Sequence, residues 1–261
     1  MGRPILLLRL EGPLQSWGTR ARWDVRDTAP EPTKSGVIGL LGCALGYSIG
    51  DSRLETLDAG LRFGVRIEHP GAILEDYQTI TDFLPTADGR YKHSGVAVAT
   101  SLNKLKNDPG VRPTTIISPR FYLEDAAFLI AMEEREINTD LTRQCADAVQ
   151  NPTWPLFLGR KSCIPTRPVF DAWTDQYDDL ENALCHHPWS WLGFAAGLRT
   201  DTTVLGKLRL LVEPKAEAQG TVLRQDALRV GPTRQYGLRY EQELPSIDRA
   251  SVSMVFEGGT L

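Results

Sequence analysis

The chain has 261 residues, 41% of them hydrophobic and 24% charged, enough for one large or two modest folded cores. Its formal net charge of −4 excludes a polycationic coat for nucleic acid. No apolar run approaches the ~18 residues of a membrane span, and the apolar start Ile5–Leu8 is too short for a signal peptide, so the expectation is a cytoplasmic protein. Cys43, Cys145, Cys163 and Cys185 are far apart with no Cys-x-x-Cys pair, which predicts reduced thiols. Cys185-His186-His187 reads as a solvated turn, because three adjacent residues rarely converge on one ion. No metal or cofactor is expected.

In chain order, Ile5 to Leu10 predicts a buried first strand, broken by Gly12-Pro13. A polar loop follows with Trp17, Arg20, Arg22, Trp23 and Arg26; Trp and Arg together suit stacking on a single strand and neutralising it, or packing on the core. Pro30 and Pro32 hold the chain extended ahead of Thr33-Lys34-Ser35-Gly36-Val37-Ile38-Gly39-Leu40-Leu41-Gly42-Cys43-Ala44-Leu45-Gly46. Thr33 is placed to cap a helix, and Gly46 to close it in the left-handed region. The apolar residues between them cover nearly every side, which predicts a buried helix. Its small residues form a stripe where another backbone could approach closely.

The entry to this helix, with Thr33, Lys34, Ser35 and Gly36, offers free N–H groups and a cation to an anion. It is not a P-loop, because the Gly-x-x-x-x-Gly-Lys spacing is missing. The equal alternative is a capped core helix with a solvated Lys34.

Leu61 to Glu68 alternates apolar and polar, predicting a half-buried strand. Residues 77–118 form a long excursion of modest hydrophobicity. It has β-prone stretches at 95–100 and 112–118 around an Asn-Asp-Pro-Gly turn region, which predicts a projecting hairpin. Tyr122-Leu123 with Ala126–Met132 predicts a third strand, Asp140–Val149 a second helix and Pro168–Phe170 a fourth strand. The order is strand, helix, strand, hairpin, strand, helix, strand. It predicts an α+β, ferredoxin-like βαββαβ domain over 1–173, with 77–118 inserted. Acidic residues 174–192 read as a linker, and strands at 204–212, 221–223 and 252–256 as a smaller β-rich C-terminal region within 174–261.

Charge is segregated. Residues 90–120 carry Arg90, Lys92, Lys104, Lys106, Arg112 and Arg120 against Asp108, and residues 159–168 carry Arg160, Lys161 and Arg167 with no acid. Asp171, Asp175, Asp178, Asp179 and Glu181 then reverse the sign. This pattern suggests a basic track and an acidic outer face.

Three stretches in this order resemble one family. They are Leu8 to Gly18 (LRLEGPLQSWG), Pro32 to Gly42 (PTKSGVIGLLG), and Leu158-Gly159-Arg160-Lys161-Ser162-Cys163 running on to Pro168. Together they are similar to the CasD family, the type I-E Cascade subunits among the RAMP-type CRISPR proteins. Leu123 to Phe128 resembles the family's third strand, and Arg234-Gln235-Tyr236 is a weaker match near the C-terminus. The resemblance implies a non-catalytic subunit that binds the 5′ handle of the CRISPR RNA, caps the complex backbone, and touches CasC backbone subunits and the large CasA subunit. Target DNA would be met indirectly. The excursion at 77–118 would be the thumb that crosses the guide. The RNA contacts implied are Gln15, Trp17, Arg20, Arg22, Thr33, Lys34, Ser35, Gly36, Lys92, Lys104, Lys106, Arg112, Gly159, Arg160, Lys161 and Ser162. A related type I-C branch cleaves CRISPR RNA precursors without metal through Tyr, Lys and His. The matching types here are Tyr47, Lys92 and His93, suited to acid–base work and charge stabilisation if they met at one phosphate.

Overall fold

The computed structural model describes residues 4–19, 25–82, 84–85, 90–92, 98–99, 112–136, 139–191, 206–216, 221–230 and 235–253. Along the chain run β1 (Ile5–Glu11), β2 (Leu14–Gln15), α1 (Lys34–Leu45), α2 (Arg53–Gly60), β3 (Leu61–His69), β4 (Ala72–Asp82), β5 (Leu84–Pro85), β6 (Tyr91–Lys92), β7 (Val98–Ala99) and β8 (Thr114–Glu124). Then come β9 (Ala127–Glu134), α3 (Leu141–Gln150), β10 (Phe170–Thr174), α4 (Leu180–His186), β11 (Lys207–Val212), β12 (Val222–Arg229) and β13 (Gln235–Asp248). The chain forms two compact units. One holds Met1–Thr19, Thr28–Leu74 and Tyr122–Leu261; the other holds Arg20–Asp27 and Glu75–Phe121.

The first unit is α+β. Its main sheet has the order β10-β1-β9-β3-β11-β13-β12, and every neighbouring pair is antiparallel. Side chains alternate across the pleat. Leu6, Leu8 and Leu10 of β1 therefore join Phe63, Val65, Phe128 and Ile130 under α1 and α3. Ile5 and Leu7 join Leu129, Ala131, Leu210 and Val212 under α4. β1 is thus buried on both faces. Each fully buried Leu or Ile contributes about 2 kcal/mol of burial free energy, which makes this strand the hinge of the core.

The second unit holds most of β4 and β8, hydrogen-bonded neighbours in one sheet, and the small sheet β5-β6-β7. The Thr81 and Thr115 hydroxyls meet at 2.8 Å. Arg26 makes an isolated parallel bridge to Arg120.

Several sequence expectations change. β3 is buried along its whole length rather than half-buried. Its polar residues face the α4 side, where they are paired instead of solvated. Arg62 binds Glu133 and Glu181, and Arg66 binds Glu68 at 2.5 Å. Residues 122–132 are two strands, because Asp125 adopts φ 57° and turns the chain between β8 and β9. The supposed linker 174–192 contains α4, whose Leu180, Ala183 and Leu184 close the second core layer. β11 pairs with β3, so the C-terminal strands continue the main sheet. Residues 249–251 form a 3-10 turn, 252 and 253 are not in a strand, and the rest of the strand expected at 252–256 lies outside the described residues.

His187, expected in a solvated turn, is half-buried in a polar cluster. Its Nε2 lies 2.7 Å from Asp171 Oδ2 and its Nδ1 3.0 Å from the Tyr177 hydroxyl. The carboxylate only accepts, so Nε2 carries the proton of that bond, and Nδ1 shares a second bond with the Tyr177 hydroxyl. Arg9 donates to the same Asp171 at 3.1 Å and to Glu68 at 2.7 Å. Burial alone would raise the Asp171 carboxyl, but the His187 hydrogen bond and the Arg9 charge outweigh it and hold the group at about 2. The folded value lies below the ordinary 3.8, so Asp171 stabilises the fold above that pH and loses its contribution as pH falls towards 2. The contribution is about 2 kcal/mol. Asp171→Asn should therefore cost about that much in urea unfolding at pH 6 and progressively less below pH 4. An equal cost at both ends would contradict the pairing.

All four cysteines are free thiols, and burial pushes Cys145 up to about 12. Among the described residues no cluster of His, Cys, Asp or Glu could hold a metal ion, and no helix is long and apolar enough to cross a membrane.

Candidate nucleic-acid interface

The α1 terminus has the caps its sequence predicts. The Thr33 side chain accepts from the Gly36 N–H at 3.2 Å, and Gly46 closes the helix at φ 74° with its N–H on Cys43 O. Another backbone reaches the small-residue stripe only at its C-terminal end, where the Thr153 N–H donates to Ala44 O at 2.9 Å and Cys43 Sγ lies 3.4 Å from Pro155 O. Gly39 has no neighbour within 4 Å of a would-be Cβ, Gly42 faces the Leu54 side chain, and Gly36 lies against the Trp17 ring.

The anion seat at this helix start is real, but it is filled from within. Asp226 of β12 accepts from the Lys34 backbone N–H at 2.9 Å. Arg239 holds that carboxylate in place with bonds of 2.6 and 3.0 Å. The Lys34 ammonium turns inward, 2 % exposed. It donates to Asp58 O at 2.6 Å and to Glu213 Oε2 at 3.0 Å. Lys34 is therefore neither solvated nor available to a phosphate. A buried carboxylate takes the Lys34 N–H and the Thr33 hydroxyl takes the Gly36 N–H, and the carboxylate's charge meets the helix dipole that would otherwise attract a phosphate.

The three motif stretches meet in one knot. Ser16 N–H donates to Leu158 O at 3.1 Å. Gly159 sits at φ 93°, and a Cβ there would lie 1.8 Å from Ser16 O. Trp17, 1 % exposed, passes its carbonyl to the Ala29 N–H at 2.7 Å and lays its ring on Gly36. Its indole N–H reaches Gln15 Oε1 at 3.1 Å. The Gln15 amide donates to Leu10 O and Ala126 O, at 3.1 and 2.7 Å. Gln15 and Trp17 are structural residues, buried too deeply to touch RNA. Thr33 is a buried cap.

What the knot presents outward is the 159–162 loop. The Cys163 N–H closes it on Arg160 O at 2.9 Å. Lys161 and Ser162 are exposed. Arg160 is half-buried with its guanidinium over the Tyr122 ring, 4.7 Å from the centroid. That stacking holds a cation near its optimum at roughly 0.5–1 kcal/mol. Ser35 and Gly36 are half-buried on α1. In the second unit Arg112 is exposed and Lys92 lies on β6. Arg20, Arg22, His93, Lys104 and Lys106 lie outside the described residues, as does Arg234. Tyr47 packs against the core, with the Arg53 guanidinium 3.8 Å above its ring.

Sequence reasoning missed Asp226, Glu213 and Arg239, which set the state of the α1 terminus. It also missed Tyr122 as the platform for Arg160.

The family model described as CRISPR-associated protein (Cas_Cas5) matches residues 5–240. This chain belongs to the Cas5 family of CRISPR-associated proteins. The CRISPR system Cascade subunit CasD of Escherichia coli (strain K12) is 34% identical over 186 residues, 71% of this Cas5 chain and 77% of that protein. A chain of a CRISPR RNA-guided surveillance complex superposes with a TM-score of 0.66 at 27% identity, covering 95% of this chain and 92% of the other. A second solved Cas protein gives 0.59 at 29% identity, covering 96% and 98%.

Proposed function

We propose that this Cas5 chain is a non-catalytic guide-RNA-binding subunit of a type I-E Cascade complex, seated on the 5′ handle of the CRISPR RNA in the cytoplasm. The observation that carries the reading is the single knot made by the three motif stretches, which offers Arg160, Lys161 and Ser162 outward in a chain similar to CasD along most of its length. A strand order of β10-β1-β9-β3, with α1 after β1 and α3 before β10, supports a ferredoxin-like reading of that part of the sheet. The unit containing 75–121 supports the thumb reading of 77–118. CasC backbone subunits and the large CasA subunit are the protein partners in this reading, and target DNA is met through the guide.

Handle recognition by Arg160, Lys161, Ser162 and the Gly159 backbone suits a single strand, where phosphate contacts and stacking dominate. Arg112 and the Lys92–Lys106 stretch would add cations along the guide. Lys34, Gln15, Trp17 and Thr33 support the loop from behind. The placement of Tyr47 under Arg53 and against the core favours a packing role for the tyrosine of the cleavage reading. Purified protein mixed with its cognate repeat RNA in EDTA at neutral pH should retard the RNA intact. A discrete product with a cyclic phosphate end, lost in His93→Ala, would instead establish a nuclease.

A further inference from the structure

Among the described residues the tryptophans are of two kinds. Trp17, Trp189 and Trp191 are buried, whereas Trp154 is 42% and Trp173 39% exposed. Trp173 is engaged by its own chain: its indole N–H donates to the Thr142 hydroxyl at 3.2 Å, and the Arg143 guanidinium lies 5.9 Å from its ring. The Trp154 ring stacks on no described ring or guanidinium. Yet the backbone that carries it is fixed. The Thr153 N–H donates to Ala44 O at 2.9 Å, and the Cys43 thiol lies 3.4 Å from Pro155 O. The ring of Pro155 also confines Trp154 to extended backbone. A Trp side chain has two rotatable angles, so ordering its ring on a ligand costs little entropy.

The segment that holds Trp154 runs from the end of α1, at Ala44, to the 159–162 loop. Leu158 O accepts the Ser16 N–H there, and Trp17 lies on Gly36 near the start of α1. Five residues separate Trp154 from Gly159, so the ring stands within about 18 Å of the loop. A few nucleotides of one strand cover that distance. From Asn151 to Phe170 the chain carries Arg160, Lys161 and Arg167 and no acid. Asn151, Pro152, Thr153 and Pro155 are exposed around Trp154 and add no large apolar side chain. An aromatic ring in a cationic, acid-free stretch suits a base of an anionic strand, because every base offers a π-face while its phosphates take the cations. The base must be unpaired, since a duplex hides its faces.

We propose that Trp154 is a stacking platform for one unpaired base of the handle RNA whose phosphates meet Arg160 and Lys161. This rests on the RNA-binding reading above and adds to it a contact that carries no charge. The test compares handle-RNA binding by wild type, Trp154→Ala and Trp154→Phe across a salt series. Alanine should weaken binding about 5- to 150-fold, the range for losing one base–aromatic stack. The slope of log K against log salt should stay as in wild type, because no phosphate contact is lost. Phenylalanine should keep most of the affinity. Handle RNAs with one abasic nucleotide supply an arm on the unaltered protein. At one position the missing base should cost wild type a similar factor and cost Trp154→Ala nothing further. A photocrosslinker at position 154 in the assembled complex should join that nucleotide. Wild-type affinity in Trp154→Ala beside a binding wild type would overturn the inference alone. So would a loss that comes with a flatter salt slope or with lost protection of the Ser16 amide, since Trp154 would then only prop the loop. Abasic losses that add to the alanine loss at every position, or crosslinking to a protein subunit, would overturn it as well. A wild-type chain that binds no handle RNA would overturn the proposed function and this inference with it.

Discussion

Replacing Gly159 with alanine should unseat the 158–166 loop. Gly159 sits at φ 93°, and the added Cβ would fall 1.8 Å from Ser16 O. No rotamer relieves such a contact, because both partners are backbone. The positive φ alone costs an L-residue roughly 1–2 kcal/mol, and the overlap forces the loop off the 12–17 segment. The expected total is about 3 kcal/mol or more, the size reserved for strain at a special backbone position. Hydrogen exchange gives a local readout. The Ser16 amide, which donates to Leu158 O, should lose its protection, while the β1 amides paired to β9 keep theirs. Guide affinity should fall with it, because Arg160 and Lys161 lose their fixed placement. Normal protection of Ser16 in the variant would show that the knot tolerates a side chain and does not position the loop.

Lys34→Ala should act on stability, not directly on RNA. The substitution leaves Glu213 Oε2 and Asp58 O, both buried, without the ammonium that serves them. Breaking one partner of a buried pair costs roughly 3–5 kcal/mol, more than the intact pair contributes. Arg135 still reaches Glu213 at 2.5 Å, so the low end, about 3 kcal/mol, is expected. Urea unfolding should show a lower midpoint at unchanged slope. In the folded fraction, the dependence of RNA binding on salt should match wild type. Unchanged stability with a flatter salt dependence would return Lys34 to the interface.

These outcomes separate what local sequence carries from what it does not. α1 was legible because its signals are adjacent: Thr33 before the apolar run and Gly46 after it, both confirmed in position. β1, α3 and β10 were legible for the same reason of local pattern. The state of Lys34 was not. The acid at its helix start, Asp226, stands 192 residues away in sequence, and no periodicity links them. A cation at a helix N-terminus reads as an anion site until the fold supplies an anion of its own.

Burial of polar strands misleads in the same way. Arg62, Arg66 and Glu68 gave β3 an alternating pattern that reads as solvent-facing, yet the α4 layer and its carboxylates cover them. α4 itself is a seven-residue helix in an acidic stretch, too short to show a period. β13 was missed because its outward residues are apolar and its inward ones are charged, the reverse of an ordinary half-buried strand. The candidate site divides along this line. The loop residues were legible as a motif, while Gln15, Trp17 and Thr33, from the same motifs, support it from inside.

The most direct measurement is the salt dependence of handle-RNA binding in wild type and Arg160→Gln/Lys161→Gln. For a single strand, each phosphate neutralised contributes about −0.7 to the slope of log K against log salt. If Arg160 and Lys161 hold the handle, the double variant should bind more weakly, with a slope flatter by about 1.4 and a melting temperature lowered by no more than about 4 °C, the share of the Arg160–Tyr122 stacking. Equal affinity and equal slope would contradict the assignment of the 159–162 loop as the RNA contact.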